Sequence, residues 1–275
     1  MAEFTTTDGC RIHFEVAGTG RPVLCLAGLT RNSRDFDFVA PHLSDLQLIR
    51  MDYRGRGQSE YDSDFMNYNV VRESQDAIEL LDHLGLDRAA ILGTSRGGLI
   101  AMALAASHPG RLAGVILNDV GPVVEPAGIA KIMDYVGAKP ASSTYEEAAE
   151  ALKHVMEPAF PGVPIDVWRK QAEHQFKQES DGLTLRYDPA LRSALIEQAA
   201  AGAVPDMWMF FEALRTIPTG VIRGANSDVL GKDTLSEMHA RHPDLIFAEV
   251  PDRGHVPFLD EPQSLDVIRK VLNSI

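Results

Sequence analysis

Gly93-Thr94-Ser95-Arg96-Gly97-Gly98 decides how this chain folds. Residues 89–92 before it form a short continuous apolar run, the pattern of a strand buried on both faces. Residues 99–107 after it are rich in Ala and read as a helix. A serine spaced G-x-S-x-G thus sits where a buried strand turns sharply into a helix. Such a turn holds the serine backbone in a sparsely populated conformation and lifts its Oγ above the sheet. The flanking glycines keep side chains out of the bend, and the first N–H groups of the helix point at the hydroxyl. Bare G-x-S-x-G is a weak signal; the strand and helix around it make it specific.

Upstream, residues 4–6 and 11–16 alternate apolar with polar about an Asp8-Gly9 turn. Residues 22–27, closed by Gly28, and 46–51 are two further buried strands. Helices are expected over 33–43 and 70–84, the second stopping at Gly85. A strand at 112–117 follows the elbow helix. Strands alternating with helices from residue 27 onward call for a parallel sheet covered on both faces. The alternation stops after Val120. Residues 122–216 carry helical patterns cut by prolines and no convincing buried strand. It resumes with a strand at 219–223, a helix at 232–242, a strand at 245–250 and a closing helix at 265–272. The expected organisation is an α/β core of residues 1–121 and 217–275, with a helical lid, 122–216, inserted into it.

Composition narrows the partners. Twenty-six Lys and Arg against 39 Asp and Glu give a formal charge of −13 over 275 residues. A surface this acidic gains nothing from counterion release, which argues against nucleic acid and anionic membranes and leaves a small-molecule substrate. No apolar run approaches the length of a membrane span. The first ten residues, MAEFTTTDGC, lack the basic and apolar regions of a secretory signal, so a cytoplasmic location is expected. Cys10 and Cys25 stand alone, with no C-x-x-C spacing, and no metal or redox cofactor is expected.

A serine hydroxyl needs a base to take its proton. Of the nine histidines, eight sit in helical faces, at helix ends or in the early hairpin. His255 alone lies in a loop, 251–255, after a late strand and before the last helix. That places it at the carboxyl edge of the sheet, which also carries Ser95. The base in turn needs a carboxylate to fix its tautomer. Asp228, after the strand at 219–223, precedes His255 in chain order and is the preferred acid. Asp119, after the strand at 112–117, competes for the same role.

Over nearly its whole length the chain now resembles the α/β-hydrolase superfamily. The likeness is carried by residues 93–98, by Asp228 and His255 in that order, and by Asp52-Tyr53-Arg54-Gly55-Arg56-Gly57-Gln58-Ser59, similar to the family's D-x-R-G-x-G-x-S turn. The resemblance implies a structural role for that turn, with Ser59 or Asp52 tying the loop. It implies that Ala27-Gly28-Leu29 is the oxyanion loop, with the backbone N–H groups of Leu29 and Arg96 as donors. Relatives usually begin this loop His-Gly; here Ala27 replaces the histidine, which puts the bracing of the loop in question. Serine at the elbow separates the chain from the aspartate-nucleophile branches, haloalkane dehalogenases and epoxide hydrolases.

A triad of this kind implies acyl transfer through an acyl-enzyme, with carboxylic esters as the first substrate class. Lactonases and hydrolases that cleave C–C bonds in ring-fission products share it and are the alternatives within the fold. A receptor or scaffold keeping the triad without turnover is the alternative outside enzymology. Arg31, with Arg34 and Arg96, is a candidate for holding a substrate carboxylate. Trp208 and Phe211, in the apolar stretch 206–211, are candidates for lining the substrate pocket, although packing of lid on core explains them equally well.

Overall fold

The computed structural model describes residues 2–201 and 206–275. The chain opens with β1 (Ala2–Thr5), β2 (Arg11–Ala17), β3 (Pro22–Leu26) and β4 (Gln47–Met51), then α1 (Val70–His83), β5 (Ala89–Thr94), α2 (Arg96–Ser107) and β6 (Leu112–Asn118). An insert follows, with α3 (Pro126–Tyr135), α4 (Tyr145–Met156), α5 (Ile165–Gln175), the hairpin β7 (Phe176–Glu179) and β8 (Gly182–Leu185), α6 (Leu191–Ala200) and α7 (Met207–Glu212). The chain then returns to the sheet through β9 (Thr219–Gly224), α8 (Lys232–Arg241), β10 (Ile246–Val250) and α9 (Pro262–Asn273).

Eight strands form one sheet in the order β1-β2-β4-β3-β5-β6-β9-β10. β2 is antiparallel to β1 and to β4, and every pairing from β4 to β10 is parallel. The continuous apolar runs are explained by two covered faces. Leu24, Leu26, Ala89 and Ile91 enter one core cluster with Ile78 and Leu81 of α1 and Ile100 and Leu104 of α2. Val23, Cys25, Ala90 and Leu92 enter the other, with Phe36, Val39 and Ile268 and Val271 of α9. Each Leu or Ile fully buried in this way stabilises the fold by roughly 1.5–3 kcal/mol. A one-residue slip of any central strand would send each apolar set to the opposite face.

Two expectations change in detail. Residues 33–43 form not one helix but two short 3₁₀ turns, Ser33–Asp37 and Ala40–Leu43. The apolar spacing holds, since Phe36, Val39 and Leu43 are all fully buried. The Asn32 side chain caps the first turn, and Pro41 has no N–H to continue it. The insert also contains the β7–β8 ribbon, whose one buried residue is Leu183. An exposed hairpin carries no apolar run, so periodicity does not reveal it.

Because β4, β3, β5, β6, β9 and β10 run parallel, their carboxyl ends share one edge. Several insert residues meet the core at that edge. Gly128 of α3 packs on the backbone of Asp228, Ala159 and Phe160 pack on Gly254, and the Gln198 side chain donates to Tyr68 O at 3.1 Å. Among the described residues, no helix is long and apolar enough to cross a membrane.

Candidate active site

Ser95 stands between β5 and α2 with φ +50° and ψ −113°, outside the regions that ordinary residues occupy. Neighbouring strands hold it there: its N–H donates to Asn118 O at 2.9 Å. A Cβ on Gly97 would come within 2.0 Å of Leu26 O, and one on Gly93 within 2.5 Å of Gly97 O. The elbow therefore requires glycine at both positions of the motif. The strain stays at a side chain that is only partly buried and open to the carboxyl edge.

His255 meets this serine from the loop after β10. Its Nε2 lies 3.0 Å from Ser95 Oγ, and its Nδ1 lies 2.7 Å from Asp119 Oδ2. The imidazole is 17% exposed, whereas the Asp119 side chain has no exposure at all. The carboxylate is held on every side. Oδ1 accepts the Gly224 N–H at 2.9 Å, and Oδ2 also accepts the Ser227 hydroxyl at 2.6 Å. Asp119 itself takes φ +55°, with its N–H bonded to Ile222 O at 2.7 Å.

The acid facing His255 is thus Asp119, and the preference for Asp228 is corrected. After β9 the backbone turns at residues 224–227, with the Ser227 N–H donating to Gly224 O at 3.0 Å. That turn aims the Ser227 hydroxyl, rather than the next carboxylate, at the histidine pocket. Asp228 points outward and pairs with Lys131 of α3, tying the insert to the core.

Residues 27–29 lie against the elbow, where a Cβ built on Gly28 would be 3.9 Å from Ser95 Cβ. Each carbonyl of this loop already accepts a hydrogen bond from within the protein. Ala27 O accepts from Gly97 N at 3.1 Å and from the Tyr53 hydroxyl at 3.0 Å; Gly28 O accepts from Arg31 N at 3.1 Å; Leu29 O accepts from Arg56 Nε at 3.0 Å. Among the described residues, the N–H groups of Leu29 and Arg96 donate to no backbone or side-chain acceptor. The D-x-R-G-x-G-x-S turn is a knot of internal bonds. Asp52 accepts from the N–H groups of Ser33 and Gln58, and the Ser59 hydroxyl donates to Asp52 O at 2.8 Å.

Among the remaining candidates, Arg31 lies beside Gly28, but its guanidinium is engaged by Asp35 at 3.0 Å and by Gln171 of α5. Arg34 donates to Glu173 O at 2.7 Å. Arg96 is buried, with its guanidinium on Glu73 and Tyr68 O. Trp208 and Phe211 are not brought to the serine. Phe211 is fully buried against His242, and Trp208 lies under the Arg241 guanidinium, 4.2 Å from its ring centre. Both partners close α8 just before β10 begins, so α7 packs toward the amino ends of the strands, opposite the site. The aromatic group near His255 is instead Phe160, Trp168 and Phe258, with ring centres 5.6–6.0 Å apart. Phe258 follows the histidine by three residues, a proximity that residue type alone does not reveal.

His174, expected on a polar helical face, is fully buried on α5 against Phe38, with Nε2 3.2 Å from Asp37 Oδ2. Burial lowers its pKa despite that carboxylate. The cysteines offer no competing nucleophile near neutrality. Burial pushes the Cys10 thiol up to about 11 and the Cys25 thiol up to about 12.

The sequence profile of the Alpha/beta hydrolase family matches residues 23–265. A 3-hydroxybutyrate-oligomer hydrolase from Cupriavidus necator is 36% identical over 256 residues, covering 90% of this chain and 86% of that protein. An alpha/beta hydrolase structure from Novosphingobium aromaticivorans is 40% identical and superimposes with a TM-score of 0.92, over 100% of this chain and 98% of that one. The structure of E-2-(acetamidomethylene)succinate hydrolase, at 22% identity, shares the fold with a TM-score of 0.80 over 96% of each chain.

Proposed function

This chain belongs to the alpha/beta hydrolase family, and on that footing we propose that it is a serine hydrolase of carboxylic esters that works through an acyl-enzyme on Ser95. One observation carries the proposal: the unbroken path from Ser95 Oγ to His255 Nε2, at 3.0 Å, and from His255 Nδ1 to Asp119 Oδ2, at 2.7 Å. Asp119 keeps the proton on Nδ1, so the Nε2 lone pair faces the serine hydroxyl. As Oγ attacks the ester carbonyl carbon, Nε2 takes the hydroxyl proton, and Asp119 stabilises the imidazolium that forms. The carbonyl oxygen becomes an oxyanion and is received by the N–H groups of Leu29 and Arg96. His255 then gives its proton to the departing alkoxide. A water, deprotonated at the same nitrogen, attacks the acyl carbon; the bond to Ser95 Oγ then breaks, His255 returns the proton to Oγ, and the carboxylic acid leaves.

The name of the relative from Cupriavidus necator makes short linear esters of 3-hydroxy acids the first natural substrates to examine. The test is steady-state hydrolysis of 3-hydroxybutyrate dimer and trimer beside p-nitrophenyl esters of graded acyl length. Many turnovers per enzyme are expected on at least one of them, lost in Ser95→Ala. A single stoichiometric burst with no turnover on every ester would instead fit a binding protein on this fold.

A further inference from the structure

We infer that Arg56, Glu73 and the Arg96 side chain form a buried brace that positions both donors of the oxyanion hole; this rests on Ser95 being the nucleophile. Arg56 and Glu73 have no exposed surface, and Arg96 is 7% exposed. Glu73, in the first turn of α1, stands between the two guanidinium groups. Its Oε1 is 2.9 Å from Arg56 Nη1, and its Oε2 accepts from Arg96 Nε. The outer ends of the brace reach the two segments from which the donors come. Arg56 Nε donates to Leu29 O at 3.0 Å, fixing the peptide that follows Leu29. Arg96 is the residue after the nucleophile, and its Nη2 donates to Tyr68 O at 3.2 Å.

The geometry of a trans peptide extends this anchoring to the donors themselves. Gly28 O accepts from Arg31 N, so the Leu29 N–H of the same peptide points the opposite way. With the next peptide pinned by Arg56, Leu29 is fixed on both sides. A buried ion cluster costs desolvation and is a poor source of stability. Three charged side chains spent on one loop and one helix start are better explained by placement, since an error of about 1 Å in a reacting group costs about 100-fold in rate. Arg56, Glu73 and the Arg96 side chain, buried away from solvent, are therefore positioning residues.

The test separates placement from general loosening. Arg56→Met removes the Leu29 anchor yet leaves Glu73 and Arg96 as a matched pair; Arg96→Met cuts the other end and leaves Arg56 matched. Arg56→Lys keeps the charge beside Glu73 in case Arg56→Met folds poorly. On a p-nitrophenyl ester, kcat should fall about 10–100-fold in each, with KM within about 3-fold, because an oxyanion donor acts in the transition state. Inhibition by a trifluoromethyl ketone, whose serine adduct carries the oxyanion, should weaken by a similar factor. Trp208→Ala, at the far end of the sheet, should lower Tm and leave ketone inhibition unchanged. Folded variants with wild-type kcat and ketone affinity would overturn the brace alone. A wild-type protein that takes up neither a fluorophosphonate nor the ketone would overturn the nucleophile, and the brace with it.

Discussion

Asp119 and Asp228 differ in what surrounds them rather than in what they are. Both follow parallel strands at the carboxyl edge, and both lie between Ser95 and His255 in the chain. The difference lies in two turns: Asp119 takes φ +55°, and Ser227 donates to its Oδ2. Such details are set by the meeting of β6, β9 and the histidine loop, so residue type and spacing do not disclose them. Ser95 and His255 were legible because each is singled out locally, one by its glycines and one by its loop. Asp119→Asn should lower kcat by about 10⁴-fold while the protein stays folded, because the histidine loses its productive tautomer. Asp228→Asn removes a partly exposed pair with Lys131, worth about 0–1 kcal/mol, and should leave kcat within about 3-fold. Ester-hydrolysis kinetics on the two variants decide the matter, and the reverse ranking would return the acid to the loop after β9.

At the scale of elements, the sheet strands and their flanking helices were legible because two-faced burial writes continuous apolar runs. Insert packing was not legible, because helices that dock by edges and backbone contacts leave weaker patterns. α5 reaches the loop at 31–37 through Gln171 on Arg31, Glu173 O on Arg34 and His174 on Asp37. Burial depresses the His174 pKa in the folded chain, so on unfolding the imidazole gains a proton more readily. Its contribution is therefore present above the unfolded value of about 6.5 and lost as pH falls through and below it. The lowered Asp37 carboxyl acts only in a more acidic range, where its own contribution is lost as pH falls. Between pH 8 and pH 5.5, Tm should therefore fall further in the wild type than in His174→Gln, and parallel curves would remove His174 as the cause. α7 gives a second prediction. Phe211→Ala should cost about 3–5 kcal/mol, a cavity in the core, without changing the ratio of rates across acyl chain lengths. A shift of about 10-fold in that ratio, in folded protein, would place α7 at the substrate after all.

Across the whole molecule, one edge of one sheet gathers everything the proposed chemistry uses. β5 ends at the nucleophile, β6 at the acid, and the chain beyond β10 brings the histidine back across 160 residues. β3 leads into the loop that carries Leu29, one of the two proposed oxyanion donors, and insert residues contact the core at Asp228, Gly254 and Tyr68. The parallel run of β4, β3, β5, β6, β9 and β10 makes this convergence automatic, since loops after parallel strands emerge together. In the proposed chemistry Ser95 is a nucleophile activated by His255 and Asp119. The most direct measurement of this is covalent labelling by a fluorophosphonate, with the modified residue located by mass spectrometry. The wild-type chain should gain one adduct, on Ser95, at a rate that falls steeply in His255→Ala and Asp119→Asn and to zero in Ser95→Ala. An adduct on any other residue, or undiminished labelling of folded Ser95→Ala, would contradict the account.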